Sequence, residues 1–364
     1  MSKNMIIGLG NTGTQIVKQA ARSKSLQTDV DFFAIDSVTA AIDMKDITNV
    51  TTIPIISDDK SGSGRDRERG AAMFEFHNKD GKFSQMYATA EKAKSPIVVV
   101  TSSAGGTGSG AVVPLCRNLR DKGLDVIPFI IVPAKKDPVA FQLNTSDLFL
   151  ELEELEIRTY CIFQNEYAKA NYTEINRDIV NAIEIIFGKR YDSSSLDTID
   201  DSDLDMILRK PGRFIAVEAS APTKEQLQRT ITEKVMHGYQ PVWNAEQMGT
   251  KMVMMAFALT SPFASDDFEF AFELIRERLP HSYDEYRNIC NRDGDYKAVV
   301  IIAGLPQIDL PQTDFDWDES GQIATTKSKS SRPSFLQKKS KIGKSTLSST
   351  PTTTLKGITL VDDK

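Results

Sequence analysis

The chain has 364 residues, 40% of them hydrophobic, and a formal net charge of −6. This length predicts two domains, and the hydrophobic share is enough for ordinary globular cores. No apolar run approaches the length that spans a bilayer, and the N-terminal residues do not have the layout of a signal peptide. The three cysteines, Cys116, Cys161 and Cys290, are far apart in sequence, which indicates a reducing compartment rather than a disulfide framework or a structural zinc site. We therefore expect a soluble cytoplasmic protein without membrane insertion.

Charge is distributed unevenly along the chain. From Thr325 to Lys364 there are nine basic and two acidic residues, so this segment carries +7 and the rest of the chain carries −13. The segment is also rich in Ser and Thr and poor in aromatic residues, a composition that predicts disorder. A basic tail on an acidic body is typical of binding to an acidic partner, such as nucleic acid or the body of another copy. A solubilising linker is the alternative interpretation.

Strands and helices alternate along the body of the chain. Apolar stretches predict strands at 5–10, 30–36, 50–56, 95–102, 125–133 and 159–165, and later at 212–220, 251–261 and 296–306. Helical spacing predicts helices at 12–24, 111–123, 146–158, 223–236 and 265–279. Such alternation implies right-handed crossovers and a parallel sheet, which binds its ligand at the carboxyl ends of the strands.

Two glycine-rich loops follow predicted strands. The first is Gly8-Leu9-Gly10-Asn11-Thr12-Gly13, and the second runs from Ala104 to Gly110. Backbone N–H groups at a helix N-terminus form an anion site, and the helix dipole adds partial positive charge there. Thr107 and Ser109 would add hydroxyl donors. Two such loops on neighbouring strands suit a chain of phosphates, although neither has the Gly-Lys-Ser/Thr ending of a Walker loop.

The first loop alone also permits a dinucleotide site. It matches G-x-G-x-x-G, and Asp36 follows the second strand where a Rossmann oxidoreductase keeps the acid that binds ribose. An NAD(P)-dependent oxidoreductase is therefore an alternative function, but it leaves the second glycine loop without a role.

The stretch "SSAGGTGSG" resembles the signature loop of the tubulin/FtsZ superfamily, and further similar motifs follow in order over residues 5 to 305. The resemblance implies a GTPase that binds GTP or GDP, with Mg²⁺ held mainly by the phosphates rather than by protein ligands. It assigns phosphate contacts to the first loop, to Gly62–Gly70 and to the second loop, a ribose contact to Asp137, and base contacts to Gln15, Asn165 and Asn176. Phe141 stands where the superfamily has an arginine. The candidate nucleotide-binding residues are Gly10, Asn11, Thr12, Gln15, Gly62, Gly64, Arg65, Ala104, Gly105, Gly106, Thr107, Gly108, Ser109, Asp137, Asn165 and Asn176.

The acid-rich stretch "DTIDDSDLDMIL" resembles the superfamily loop that reaches the nucleotide of the next subunit. Asp200 and Asp203 match its Asp-x-x-Asp/Glu spacing, and Thr198 replaces its asparagine. The resemblance makes these two carboxylates catalytic, orienting water for attack on the γ-phosphate of a neighbouring copy. The residue types alone also fit a plain helix N-terminus, where Asp is favoured by capping.

The resemblance implies a Rossmann-like parallel-sheet GTPase domain (1–173), a long central helix (174–190), a smaller mixed α/β domain (191–306) and a disordered tail (307–364). Head-to-tail assembly of copies into a filament would follow, since a heterologous contact that does not close makes a filament. The sequence around "INRDIV" is most similar to the phage and plasmid tubulins. This resemblance implies positioning or segregation of DNA in a bacterial host cytoplasm, with a DNA-bound adaptor or other cargo held by the tail. A cell-division or cell-shape filament is the alternative within the superfamily, and a nucleotide-binding adaptor that never polymerises is the alternative outside it.

Overall fold

The computed structural model of the chain describes residues 2–38, 44, 47–56, 62–157, 159–167, 172–189, 191, 199–240, 252–279 and 283–306. All of these residues fall in one compact unit. The predicted tail and Thr198 lie outside the described residues. No helix in the described ranges is both long enough and apolar enough to cross a membrane.

A ten-stranded sheet in the order β3-β2-β1-β4-β5-β6-β7-β10-β8-β9 runs through the structure. The strands are β1 (Asn4–Leu9), β2 (Val30–Asp36), β3 (Val50–Pro54), β4 (Ile97–Ser102), β5 (Val126–Val132), β6 (Thr159–Gln164), β7 (Gly212–Ala221), β8 (Val253–Ser261), β9 (Tyr283–Asn291) and β10 (Tyr296–Leu305). Strand β10 is antiparallel to both β7 and β8, and the other neighbouring pairs are parallel. This confirms the predicted α/β fold with a mostly parallel sheet.

Helices cover both faces of the sheet. They are α1 (Gly10–Ala20), α2 (Arg67–Lys79), α3 (Ser84–Ala90), α4 (Thr107–Asp121), α5 (Val139–Glu154), α6 (Tyr172–Ile186), α7 (Asp201–Leu208), α8 (Lys224–His237) and α9 (Ala264–Arg276), with a short 3-10 helix at Asn165–Tyr167. Successive residues of each strand point to opposite faces, so the apolar runs of β1 and β4 fill two cores at once. One core holds α1, α6 and α7, and the other holds α3, α4 and α5.

The central helix α6 packs against strands from both halves of the sheet. Its buried residues Ile179 and Ile183 share a core with Val98 of β4 and with Ile301 of β10. The Glu184 carboxylate, near its end, accepts hydrogen bonds from the hydroxyls of Ser23 and Ser25 in the α1–β2 loop. The helix therefore joins the region of β1–β6 to the region of β7–β10. It runs from Tyr172 to Ile186, whereas the predicted span was 174–190. The predicted domain boundaries remain predictions.

Four elements, α4, α5, β9 and α2, differ from the sequence-based expectation. Helix α4 begins at Thr107, inside the glycine loop, rather than at 111, and α5 begins at Val139 rather than at 146. Strand β9 was not predicted, because "YDEYRNICN" is charged and lacks apolar alternation; it occupies one end of the strand order, where charged residues are common. Helix α2 was also not predicted, since its first turn was included in the loop 62–70.

Candidate nucleotide-binding site

Helices α1 and α4 begin side by side at the carboxyl edge of the parallel strands. Strand β1 leads into α1, strand β4 leads into α4, and the two strands are adjacent in the sheet. The first N–H groups of a helix have no acceptor within that helix. Neither N-terminus has a side-chain cap or an acidic residue in its first turn. Both sets of N–H groups and both dipoles therefore suit an anionic ligand.

The two helix N-termini touch through glycines. Gly10 has a φ of +66°, and a Cβ atom at this residue would lie 2.9 Å from the backbone nitrogen of Gly108. A Cβ atom at Gly108 would lie 2.6 Å from the carbonyl oxygen of Leu9. Side chains at these positions would separate the helices, so glycine is required for the two sets of N–H groups to form one cradle. We call this arrangement the phosphate cradle.

A turn at Ser63–Asp66 forms a third wall of the cradle. The backbone N–H of Asp66 donates to the carbonyl oxygen of Ser63 at 3.1 Å, and both central residues of the turn, Gly64 and Arg65, have positive φ. A Cβ atom on Gly106 would meet the Ser63 hydroxyl and lie 2.7 Å from the nitrogen of Asp66. The three loops predicted to contact phosphates are thus brought together at one place.

The Thr107 and Ser109 hydroxyls bind protein groups in this structure. Thr107 Oγ1 shares hydrogen bonds with the hydroxyls of Ser37 (2.7 Å) and Ser63 (2.9 Å). Ser109 Oγ is buried and accepts a hydrogen bond from Arg67 Nε at 2.8 Å. These contacts fasten the cradle to its surroundings. Ser109 Oγ accepts from Arg67, so its O–H group is still able to donate, and the role of the two hydroxyls as phosphate donors stays a prediction.

Arg67 connects three elements behind the cradle. Its guanidinium donates to Ser109 on α4 and forms a two-pronged ion pair with Glu151 on α5, at 3.2 and 3.1 Å. Arg67 itself begins α2 directly after the Ser63–Asp66 turn. Sequence reasoning did not single out this residue, because nothing in the sequence indicates which distant carboxylate it meets.

Asp137 lies in the loop that follows β5. Its Oδ2 atom accepts a hydrogen bond from the backbone N–H of Ala134 at 2.8 Å, so one carboxylate oxygen shapes the loop. The side-chain amide of Gln142 donates to the carbonyl oxygen of Ala134 at 2.6 Å and holds the same loop from α5. The second carboxylate oxygen of Asp137 is not needed for this turn, which leaves it for the predicted ribose contact.

The residues predicted to contact the base lie around α1 and α6, two helices that pack together. Gln15 is exposed on α1, and Asn176 is partly buried on α6. Asn165 follows β6, and its Oδ1 atom is buried without a hydrogen-bond partner among the described residues. A buried polar atom without a partner is costly, so Asn165 fits a ligand that donates a hydrogen bond.

Tyr172 is a candidate that the sequence analysis missed. It is the first residue of α6, one turn before Asn176, and the two therefore lie on the same side of the helix. Its side chain is 57% exposed, which is high for an aromatic residue of this size. The signal in the sequence was an aromatic residue four positions before a predicted base contact.

Asp36 lies at the carboxyl end of β2, beside the cradle. Its Oδ1 atom accepts a hydrogen bond from the backbone N–H of Ser37 at 2.7 Å, and its buried Oδ2 atom has no partner among the described residues. Burial raises the pKa of this carboxyl group. The residue thus faces the hydroxyl cluster of Ser37 and Thr107 rather than an open ribose pocket of the kind expected for the oxidoreductase alternative.

Asp200 and Asp203 form a capping box at the start of α7. Asp200 Oδ1 accepts hydrogen bonds from the backbone N–H groups of Ser202 (2.8 Å) and Asp203 (2.9 Å), and Asp203 Oδ2 accepts from the N–H of Asp200 at 3.1 Å. Hydrogen bonds from the Ser202 hydroxyl and from the Asp203 N–H lower the pKa of Asp200. The capping interpretation is thus confirmed, and it uses only one oxygen of each carboxylate.

Helix α7 lies at the amino ends of the parallel strands, whereas the cradle lies at their carboxyl ends. Its residues Asp201 and Leu204 line a cavity together with Asn4, where β1 begins, and Pro96, just before β4. The cradle follows Leu9, where β1 ends. Six strand residues span about 20 Å, so the acids of one chain lie too far from the cradle of the same chain to reach a phosphate held there.

The fold and the cradle define an α/β nucleotide-binding protein of the Rossmann-like class, in which phosphates sit on helix N-termini at the carboxyl ends of parallel strands. Residues 3–173 match the family model for the Tubulin/FtsZ family, GTPase domain. This part of the chain is therefore similar to the GTPase domain of the tubulin/FtsZ family, and the match supports GTP hydrolysis as the activity of the protein. The match to a GTPase domain favours GTP hydrolysis over the alternative of an NAD(P)-dependent oxidoreductase.

Solved structures show the same fold over most of the chain. CetZ1 from Haloferax volcanii, a GDP-bound monomer, is similar with a TM-score of 0.65 at 20% identity, covering 85% of this chain and 96% of that chain. FtsZ from M. jannaschii has a TM-score of 0.64 at 12% identity, with coverage of 92% and 95%. TubZ from Bacillus thuringiensis serovar israelensis, in a protofilament with GTPγS, has a TM-score of 0.63 at 17% identity, with coverage of 84% and 88%. No curated protein matches the sequence.

Proposed function

We propose that this protein polymerises head to tail and hydrolyses GTP between neighbouring copies. The observation that carries the proposal is the separation within one chain: the phosphate cradle lies at the carboxyl edge of the strands, and Asp200 and Asp203 lie at the opposite edge. A complete site needs the cradle of one copy and the acids of the next. A contact between two different faces repeats from copy to copy, and it gives a filament when the rotation between copies does not close a ring.

The phosphates occupy the cradle in this proposal. Backbone N–H groups at the start of α1, from Gly10 to Thr12, and at the start of α4, from Gly105 to Ser109, bind phosphate oxygens, and the loop at Ala104 orients them. Gly62, Gly64 and Arg65 complete the wall at the Ser63–Asp66 turn. Asp137 binds ribose, and Gln15, Asn165 and Asn176 read the base, with Tyr172 stacking on its ring. An asparagine amide has both a donor and an acceptor, which suits the edge of guanine.

Hydrolysis in this proposal depends on the acids of the adjoining copy. The free oxygens of Asp200 and Asp203 orient a water molecule in line with the γ-phosphorus; the bond to the β-phosphate oxygen breaks, and GDP and phosphate leave. The lowered pKa keeps Asp200 charged through the neutral range, which suits the orientation of water better than the uptake of a proton.

Mg²⁺ would enter with the triphosphate. Among the described residues, no group of three His, Cys, Asp or Glu side chains is placed to hold a metal ion. Bound with the triphosphate, Mg²⁺ would supply positive charge that neutralises charge developing on the phosphates. The Oδ2 atom of Asp36, buried at this edge without a partner, fits a hydrogen bond from a water molecule of that ion.

The test compares variants that keep the helix cap but lose the carboxylate. Asp200→Ser and Asp203→Asn retain capping groups, because Ser is a favoured N-cap residue and the Asn amide oxygen still accepts a hydrogen bond. Asp201→Ala is the matched control, since Asp201 is exposed on the same helix and its carboxylate is not part of the capping box. Light scattering and phosphate release are measured together with GTP and Mg²⁺ over a range of protein concentrations.

Wild type and Asp201→Ala should scatter light and release phosphate only above a critical concentration. Asp200→Ser and Asp203→Asn should form filaments and lose at least about 100-fold in phosphate release, the size of effect expected for removal of a positioned catalytic group. Turnover per molecule that stays constant at all concentrations, without scattering, would mean that the acids act within one chain or not at all. That outcome would favour the alternative of a nucleotide-binding adaptor that does not polymerise.

We infer that the filament moves or positions phage or plasmid DNA in the host cytoplasm. The supporting observations are the likeness to TubZ and the +7 segment from Thr325 to Lys364, which suits a DNA-bound adaptor or DNA itself. The likenesses to CetZ and FtsZ support the alternative of a cell-shape or cell-division filament. Co-sedimentation of DNA with polymerised protein separates the two, since the DNA role requires DNA in the pellet only when the tail is present.

A further inference from the structure

The Ser63–Asp66 turn lies at the far end of the cradle from the base. Helix α1 packs on α6, where the base contacts lie, and its first residue touches α4 at Gly108. On its other side, α4 meets the turn through Gly106, whose Cβ position is 2.8 Å from the carbonyl carbon of Arg65. The order is therefore base, α1, α4, turn. A chain of phosphates that starts at the base side ends at Arg65.

Arg65 is held in an unfavourable backbone conformation. Its φ is +70°, in the left-handed region that a side chain makes costly, and Gly64 beside it has a φ of +64°. Glycine would form this turn more easily. Arginine at this turn places an exposed cation at the end of the cradle.

Two residues of α5 hold Arg65 in place. The guanidinium of Arg65 lies over the ring of Phe141, with 5.0 Å between the guanidinium carbon and the ring centre. The Asn144 Nδ2 atom donates to the carbonyl oxygen of Arg65 at 3.1 Å. Phe141 and Asn144 are three residues apart, and thus neighbours on the same side of the helix.

Asn144 also orients the glycine loop. The same Nδ2 atom lies 3.0 Å from the carbonyl oxygen of Ala104 and 3.5 Å from that of Gly105. In a trans peptide the N–H points away from the C=O. Turning these carbonyl groups toward Asn144 therefore turns the N–H groups of Gly105 and Gly106 the other way, as a cradle of N–H donors requires.

We propose that Asn144 and Phe141 are positioning residues that make the site prefer a nucleoside triphosphate to a diphosphate. They act through Arg65 and the Ala104–Gly106 backbone, which meet the third phosphate and not the first two. This inference rests on the proposed binding of GTP and adds the part of the protein that distinguishes GTP from GDP. A hydrogen bond from a charged donor to a phosphate is strong enough to change affinity by about tenfold or more.

The test measures binding of GTPγS and GDP to the full chain with Mg²⁺, at protein concentrations too low for polymerisation, by competition with a fluorescent GDP. The variants are Asn144→Ala, Asn144→Asp and Phe141→Leu, with Arg65→Ala as the reference for loss of the cation. Asn144→Asp keeps the size of the side chain but sets a carboxylate against the carbonyl oxygens. Asn118→Ala is the matched control: its amide donates to the Tyr87 hydroxyl at 3.1 Å, on the part of α4 away from the cradle. Thermal unfolding identifies any variant that fails to fold.

Asn144→Ala, Asn144→Asp and Arg65→Ala should weaken GTPγS binding by about tenfold or more, while GDP affinity stays within about twofold of wild type. Phe141→Leu should have a smaller effect in the same direction, and Asn118→Ala should have none. An equal loss for both nucleotides in folded Asn144 variants, or no loss for either, overturns the inference and leaves the proposed function intact. A wild-type chain that binds neither nucleotide overturns the proposed function itself.

Discussion

At the scale of single residues, the cradle depends on close backbone contacts between helices α1 and α4 that leave no room for a side chain. Gly10→Ala should abolish nucleotide binding, because the added methyl group would lie 2.9 Å from the Gly108 nitrogen and force the two helix N-termini apart. The positive φ adds strain, so we also expect the free energy of unfolding to fall by roughly 1 to 3 kcal/mol. Urea unfolding and binding of a fluorescent GDP measure the two effects.

Gly123→Ala is the control for that substitution. Gly123 also has a positive φ, of +75°, but a Cβ atom there would meet nothing within 4 Å. This variant should lose stability through strain alone and keep nucleotide binding. If Gly10→Ala binds GDP as well as Gly123→Ala does, the contact between the helices is not what forms the site.

The glycine loops of the site could be predicted from the sequence, but the polar side chains that hold those loops in place could not. The glycine loops could be predicted because they follow strands and precede helices. Asp137, Asn165 and Asn176 came from the resemblance to the tubulin/FtsZ superfamily, and their contacts with a nucleotide stay predictions. Asn144 and Arg67 could not be predicted, because their partners are far away in sequence: Asn144 meets carbonyl groups 40 and 79 residues earlier, and Arg67 meets a carboxylate 84 residues later. Nothing local distinguishes these two residues from other polar residues on helices.

At the scale of elements, Arg67 braces α2 and α4 against α5. Its side chain is 8% exposed, and that of Glu151 is 46% exposed. Glu151→Gln should lower the free energy of unfolding by about 1 kcal/mol, since a mostly buried cation loses its charged partner while solvent screens part of the pair. Urea unfolding at neutral pH measures the difference.

Glu154→Gln provides the comparison, because Glu154 is exposed on the same helix. We expect a change within about 0.5 kcal/mol there, as for most surface substitutions. Equal stability of the two variants would show that the ion pair contributes nothing and that Ser109 alone holds Arg67.

The start of α4 shows why element boundaries were predicted less well than the elements. Glycine is a poor helix former, so "GGTGSG" predicts a loop. In the fold, Gly108 and Gly110 belong to the first turn of α4, since only glycine allows Leu9 and Arg67 to approach that turn. Close packing by distant segments outweighs local preference here. Strand β9 was missed for a related reason: its charges suit its place at the end of the sheet and hide the strand pattern.

At the scale of the whole molecule, the basic segment 325–364 is separate in sequence from the site residues, so we expect hydrolysis of GTP and binding of cargo to be separable. Deletion of residues 325–364 should leave GTP hydrolysis unchanged and weaken bundling or cargo binding. The deletion removes a net charge of +7 from the chain but none of the site residues. Phosphate release and sedimentation of filaments with DNA measure the two activities. The effect should be largest at low salt, where charges are screened least.

A full-length variant in which Lys338, Lys339, Lys341 and Lys344 are replaced by Gln separates charge from length. It should behave like the deletion in sedimentation and like wild type in hydrolysis. Loss of hydrolysis on deletion would instead place the tail in the contact between copies.

The separation of the cradle from α7 by the full length of the strands gives the proposed filament two chemically different ends. At one end the last copy presents a loaded cradle with no acids above it; at the other, the last copy presents acids with no nucleotide below them. A row of n copies thus contains n − 1 complete sites. The nucleotide of the terminal copy is not hydrolysed and stays open to exchange with solvent. Interior sites therefore convert from GTP to GDP with time, while the nucleotide at one end can be replaced.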